Sequence, residues 1–170
     1  VGLDSTTAMI IDVGEERTNF FIIDGRLPLV HRSMQMGGRM IAIALSRLWS
    51  VSPADAEIMM RDLSSCPAAG NEEGKFQEIT EPIIKEISYS MDVFLHQTGN
   101  ENKRPEKIIL TGGAAVFPPL LAAIAAAFPM KVFIGDPWSR VVCQDALKPL
   151  LNALGTRMAV CIGLALRHCK

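Results

Sequence analysis

Apolar residues along this chain repeat at two spacings, every second position and every third or fourth, and the changes between them mark out its elements. Residues 7–13 and 19–24 alternate as two β-strands joined by a polar turn at Gly14–Thr18. Asp24-Gly25 between apolar runs is a strong hairpin signal, so a third strand is expected over roughly 27–35. Three consecutive antiparallel strands therefore open the fold.

The spacing then lengthens. In "MGGRMIAIALSRLW", Ile41, Ala44, Leu45 and Leu48 recur as on one face of a helix. Ser52 as N-cap, Pro53 at the first helical position and Asp55 at the positive end of the dipole start a second helix. The small and polar residues of 64–75 read as an exposed loop. A long helix follows from about Phe76 to Gln97, its stripe formed by Ile79, Ile83, Ile87, Met91, Phe94 and Leu95, with Pro82 in its first two turns. "KIILTGG" is a short buried strand, "FPPLLAAIAAAF" a helix with its prolines at the start, and "MKVFIG" another strand. "DPWSRVV" reads as a loop, 145–154 as helical around Pro149, and "TRMAVCIGLALRH" as a closing apolar helix. The order predicts an α/β fold, a mixed sheet with helices on both faces.

Composition adds mainly exclusions. The chain has 170 residues, 49% of them hydrophobic, enough to bury a core. With 21% charged residues and a net charge of −1, no global field draws it to nucleic acid or to an anionic membrane. No apolar run approaches the roughly 20 residues of a spanning helix, so direct membrane insertion is not expected. Cys66, Cys143, Cys161 and Cys169 form no C-x-x-C pair and read as free thiols, and His31, His96 and His168 are too scattered for a metal site.

Three short stretches carry possible chemistry. In Asp12-Val-Gly-Glu-Glu-Arg-Thr18, Asp12 at a strand end can hold Mg²⁺ through water, Gly14 permits close approach of a phosphate, and Thr18 offers a hydroxyl. Taken alone the stretch is better read as a hairpin turn, where Asp, Gly and Thr are common for conformational reasons. In "IILTGGAAVFPPL", Gly112 and Gly113 after a strand let the backbone lie against a flat base or ribose, and a plain strand–helix loop would look the same. Ala159 and Gly163, four apart in the closing helix, favour close helix packing within the core.

In this order and at these separations, the three stretches resemble the second half of an actin-like ATPase. There a phosphate loop D-x-G-x-x-x-T opens a hairpin, a helical subdomain is inserted, an adenosine motif L-(S/T)-G-G follows, and a small-residue pattern closes. "MQMGGRMIAIALSRLWSVSPADAE", "KIILTGGAAVFPPLLAAIAAAF", "DPWSRV" and "MAVCIGLALR" are most similar to the FtsA-related PilM family of type IV pilus assembly proteins. The resemblance covers nearly the whole chain. It implies a ribonuclease-H-like, actin-like ATPase lobe: 1–50 as its first part, 51–104 as an inserted helical subdomain and 105–170 as the remainder.

It also implies that ATP and Mg²⁺ are bound between this lobe and an N-terminal one, with Asp12, Gly14 and Thr18 toward the phosphates and Gly112 and Gly113 toward the adenosine. Because the phosphate loop comes within a dozen residues of Val1, the first lobe is expected upstream, in a longer parent protein. Hydrolysis by this piece alone is not expected, since nothing opposite would clamp the γ-phosphate. The implied location is the cytoplasmic side of a bacterial inner membrane, with a PilN-like protein and other pilus components as partners, self-association open, and no nucleic acid. Glu15, Glu16 and Arg17 depart from the family's small residues. A carboxylate about 4 Å from a phosphate oxygen costs roughly 1 to 4 kcal/mol, depending on screening. The two glutamates therefore favour the rival expectation, an actin-fold scaffold without nucleotide, like GspL of type II secretion. A sugar kinase or phosphatase of the same superfamily ranks behind both.

Overall fold

The computed structural model describes residues 6–61, 74 and 76–167. Most of the expected loop at 64–75, together with Cys66, His168 and Cys169, lies outside the described residues.

Strands β1 (Ala8–Val13), β2 (Thr18–Asp24) and β3 (Leu27–Met34) run as an antiparallel meander. The β2–β3 turn has Gly25 and Arg26 at its centre, both at positive φ (53° and 76°), the geometry of a tight two-residue hairpin. Two further strands, β4 (Lys107–Thr111) and β5 (Lys131–Ile134), extend the sheet in parallel on the other side of β1. The sheet order is β3-β2-β1-β4-β5.

Alternation along the strands decides which face becomes the core. Met9, Ile11 and Val13, Phe20 and Ile22, and Ile108 and Leu110 are fully buried. Against them pack α1 (Gly38–Trp49), α2 (Pro53–Arg61), α3 (Gln77–Leu95) and α4 (Pro118–Ala127), through Ile41, Leu45, Met60, Ile83, Ile87 and Ile124. Ser52 caps α2 by accepting the Asp55 N–H at 3.1 Å. Pro82 is accommodated inside α3, which continues to Leu95. Segment 51–104 shares this single apolar cluster with the strands, through Ala56, Met60, Ile79 and Ile83.

The C-terminal part is different. After a 3₁₀ turn at Pro137–Arg140 come α5 (Lys148–Leu154) and α6 (Ala159–Leu166), separated by a 3₁₀ turn at Gly155–Met158. No residue of α6 is buried, and a Cβ added to Gly163 would meet nothing within 4 Å. The expected core contact of Ala159 and Gly163 is thus corrected. Among the described residues no helix is long and apolar enough by itself to cross a membrane.

Candidate functional site

The parallel pairing of β1 with β4 sets Asp12 beside Thr111, so both strands release their chains at the same sheet end. Loops leaving the carboxyl ends of adjacent parallel strands are where α/β sheets place ligands. Here they border a cleft of about 900 Å³, a size within the roughly 300–1,000 Å³ of small-molecule sites. Asp12, Gly14, Gly112 and Gly113 all line it.

Glycine makes the convergence sterically possible. Gly112 has φ of 94°, and a Cβ there would lie 2.4 Å from the Val13 carbonyl oxygen and 2.8 Å from Asp12 Oδ1. The next turn is fastened to β1 by the Ala114 N–H, which donates to Val13 O at 3.1 Å. At the hairpin tip, Gly14 N–H donates to Arg17 O at 3.0 Å and closes the turn. The start of α1 lies directly on that tip: Gly38 N–H donates to Gly14 O at 2.8 Å and Arg39 N–H to Glu15 O at 3.0 Å. Gly37 is indispensable to this approach, because a Cβ would come within 2.4 Å of Glu15 O.

Of the expected site residues, Thr18 alone stands outside the cleft wall. It is fully buried, and its hydroxyl donates to Met36 O at 2.6 Å, so the expected offer of that hydroxyl to a phosphate is replaced by a brace beneath the turn. Asp12 is half-buried, and burial pushes its carboxyl above the usual aspartate range, a shift partly opposed by a hydrogen bond from Asn19. Among the described residues no cationic side chain pairs with it. A half-buried carboxylate without a counter-ion suits a bound divalent cation. Among the described residues no three His, Cys, Asp or Glu side chains form a metal cluster.

Three charged residues of the cleft wall, Arg39, Glu57 and Arg157, have no local sequence signal. At the hairpin end, Arg39 pairs with Glu16 at 3.0 Å. At the other end, Arg157 from the 3₁₀ turn reaches Glu57 of α2 at 3.4 Å, and Glu57 also binds Arg61 at 2.9 Å. The stem of Arg157 lies against Gly113, whose added Cβ would be 3.3 Å from Nε. Thr156, buried beside it, donates its hydroxyl to Gly112 O. Only the glycine pair before the helical run of α1 could have been singled out from sequence.

Comparison with known proteins bears on this geometry. The family model for "Type IV pilus assembly protein PilM" matches residues 2–169. A solved PilM–PilN type IV pilus biogenesis complex superposes with a TM-score of 0.78 at 22% identity, over 96% of this chain and 46% of that one. The ethanolamine utilization protein EutJ from Carboxydothermus hydrogenoformans gives 0.58 at 12% identity, over 95% of this chain and 49% of its own. Ta0583, an archaeal actin homolog, gives 0.56 at 20% identity, over 94% and 48%. The fold is thus that of an actin-like lobe, and the chain spans about half the length of these structures. No curated protein matches it in sequence.

Proposed function

Because this chain belongs to the family of the type IV pilus assembly protein PilM, we propose that it is the nucleotide-binding lobe of a protein that helps build the pilus. In this reading Mg-ATP lies between this lobe and a second one that the chain does not span. Gly14 and Gly38, with no side chains in the wall, leave room for the phosphates, and Gly112 and Gly113 form a flat floor for the adenosine. Asp12 would hold Mg²⁺ through water, and the ion would neutralise phosphate charge. This lobe by itself has no opposing clamp on the γ-phosphate and would not hydrolyse ATP alone, and in the intact protein the nucleotide would act as a structural or switching ligand rather than as fuel for fast turnover. The partner would be a PilN-like protein at the cytoplasmic face of the inner membrane, a reading supported by the related PilM–PilN complex.

The observation that carries this proposal is the meeting of the Asp12–Gly14 bend and the Gly112–Gly113 bend at one cleft, in contact only glycine allows. A second reading has its own support: Asp12, Glu15 and Glu57 set three carboxylates in the wall against the two guanidiniums of Arg39 and Arg157. That balance suits a GspL-like scaffold that works by protein contacts without nucleotide. Calorimetric titration of the intact protein with Mg-ATP separates them. Binding by the wild type with a loss of about tenfold or more in Asp12→Ala supports the first reading. Equal affinities remove the role of Asp12, and no binding leaves the scaffold.

A further inference from the structure

We infer that Arg39 reads the phosphate chain of the nucleotide and that Glu16 is the stand-in carboxylate it releases to do so, an inference that rests on the nucleotide reading above. The cleft wall contains two arginines, and they are held differently. Arg157 is committed to the nucleoside end: its stem packs on Gly113, and its partner Glu57 is itself part of the wall. Parting that pair would leave a carboxylate facing the ligand. Arg39 sits at the hairpin end, and its partner Glu16 stands outside the wall. The side chains of this second pair are 65% and 63% exposed.

An ion pair so open to water contributes little, and Glu16 is well solvated once released. An arginine turning from an exposed carboxylate to a polyphosphate in a partly enclosed cleft gains charge-assisted, often bidentate hydrogen bonds. The backbone of Arg39 need not move, because its N–H is already bonded to Glu15 O at the rim of the turn. The exchange also answers the charge problem at that end. Glu15 lines the cleft there and repels a phosphate, and Arg39, whose N–H is bonded to the Glu15 carbonyl, is the arginine of the cleft wall at that end. Selectivity then depends on phosphate number: the nucleoside end sees the same adenosine in every nucleotide, while Arg39 rewards a chain long enough to reach it.

The test is calorimetric titration of Mg-ATP, Mg-ADP and AMP into the intact protein as wild type, Arg39→Gln and Glu16→Gln, with thermal melts as the check on folding. Arg39→Gln should weaken Mg-ATP by about tenfold and AMP by less than about twofold, so that discrimination between them collapses. Glu16→Gln should tighten Mg-ATP about two- to fivefold, because Arg39 has lost its competitor. An unchanged Mg-ATP affinity in Arg39→Gln with an unchanged melt overturns the inference while leaving the nucleotide reading intact. Equal losses for AMP and Mg-ATP overturn it as well, since they mark a general defect of the cleft. A wild type that binds none of the three overturns both.

Discussion

Helices α3 and α6 are both rich in apolar residues, and they meet opposite fates. Along α3, charged residues such as Glu78, Lys85 and Glu86 alternate with an apolar stripe, and Ile79, Ile83, Ile87 and Phe94 are buried. Along α6, Ala-Val-Cys-Ile-Gly-Leu-Ala-Leu, nothing is buried, and Val160 and Leu164 are 59% and 60% exposed. The same holds in and before α5, where Leu147 and Leu150 are exposed. An amphipathic helix states which side faces the core, while one apolar on every side asks for several neighbours at once. Strands β2 and β3 together with α4 complete the surroundings of α3, and the described residues supply no such surroundings for α6. Apolarity measures the need for a partner. It does not say where the partner is.

That contrast is open to direct attack. Phe20→Ala should remove about 3 to 5 kcal/mol from the stability of this chain, because a large ring is lost from a fully enclosed place in the sheet core. Urea titration of both forms measures it. A smaller effect comes from Asp12, whose carboxyl is raised by burial. Between the ordinary aspartate pKa and the raised one the folded chain holds more proton than the unfolded chain, so stability should fall as pH rises through that window. Asp12→Asn should remove this fall and be slightly more stable at neutral pH, which melting curves across the acid range would register. The least effect belongs to the C-terminal helix. Leu164→Ser should alter the stability of this chain by no more than about 0.5 kcal/mol. A loss as large as that of Phe20→Ala would abolish the distinction between the two regions.

Much of the architecture was legible because local signals agreed with the global arrangement. The alternation of 7–13 and 19–24 yields β1 and β2 within a residue at their starts, and the cap at Ser52 is realised as expected. Asp24-Gly25 marked the hairpin, although its centre is Gly25-Arg26, with a bulky residue at positive φ. The family resemblance brought Asp12 and Gly112 to one ligand, and the parallel β1–β4 pair sets the ends of their strands side by side. The failures have physical causes too. Thr18 alternates inward with Phe20 and Ile22, so the periodicity that built the strand also buried the hydroxyl expected at the ligand. The Glu57–Arg157 pair joins residues one hundred apart, and Glu16–Arg39 joins a turn to a helix start, so no local pattern announces either. The small-residue spacing of Ala159 and Gly163 was read as a packing motif without any means of locating the opposing surface.

The bonds from Gly38 and Arg39 to the carbonyls of Gly14 and Glu15 have a mechanical consequence. They tie the hairpin tip to the first helix, which ends twelve residues on at the left-handed Ser50. There the chain turns into α2 and its Glu57. The two rims of the cleft are thereby joined through a single helix and the turn at its end.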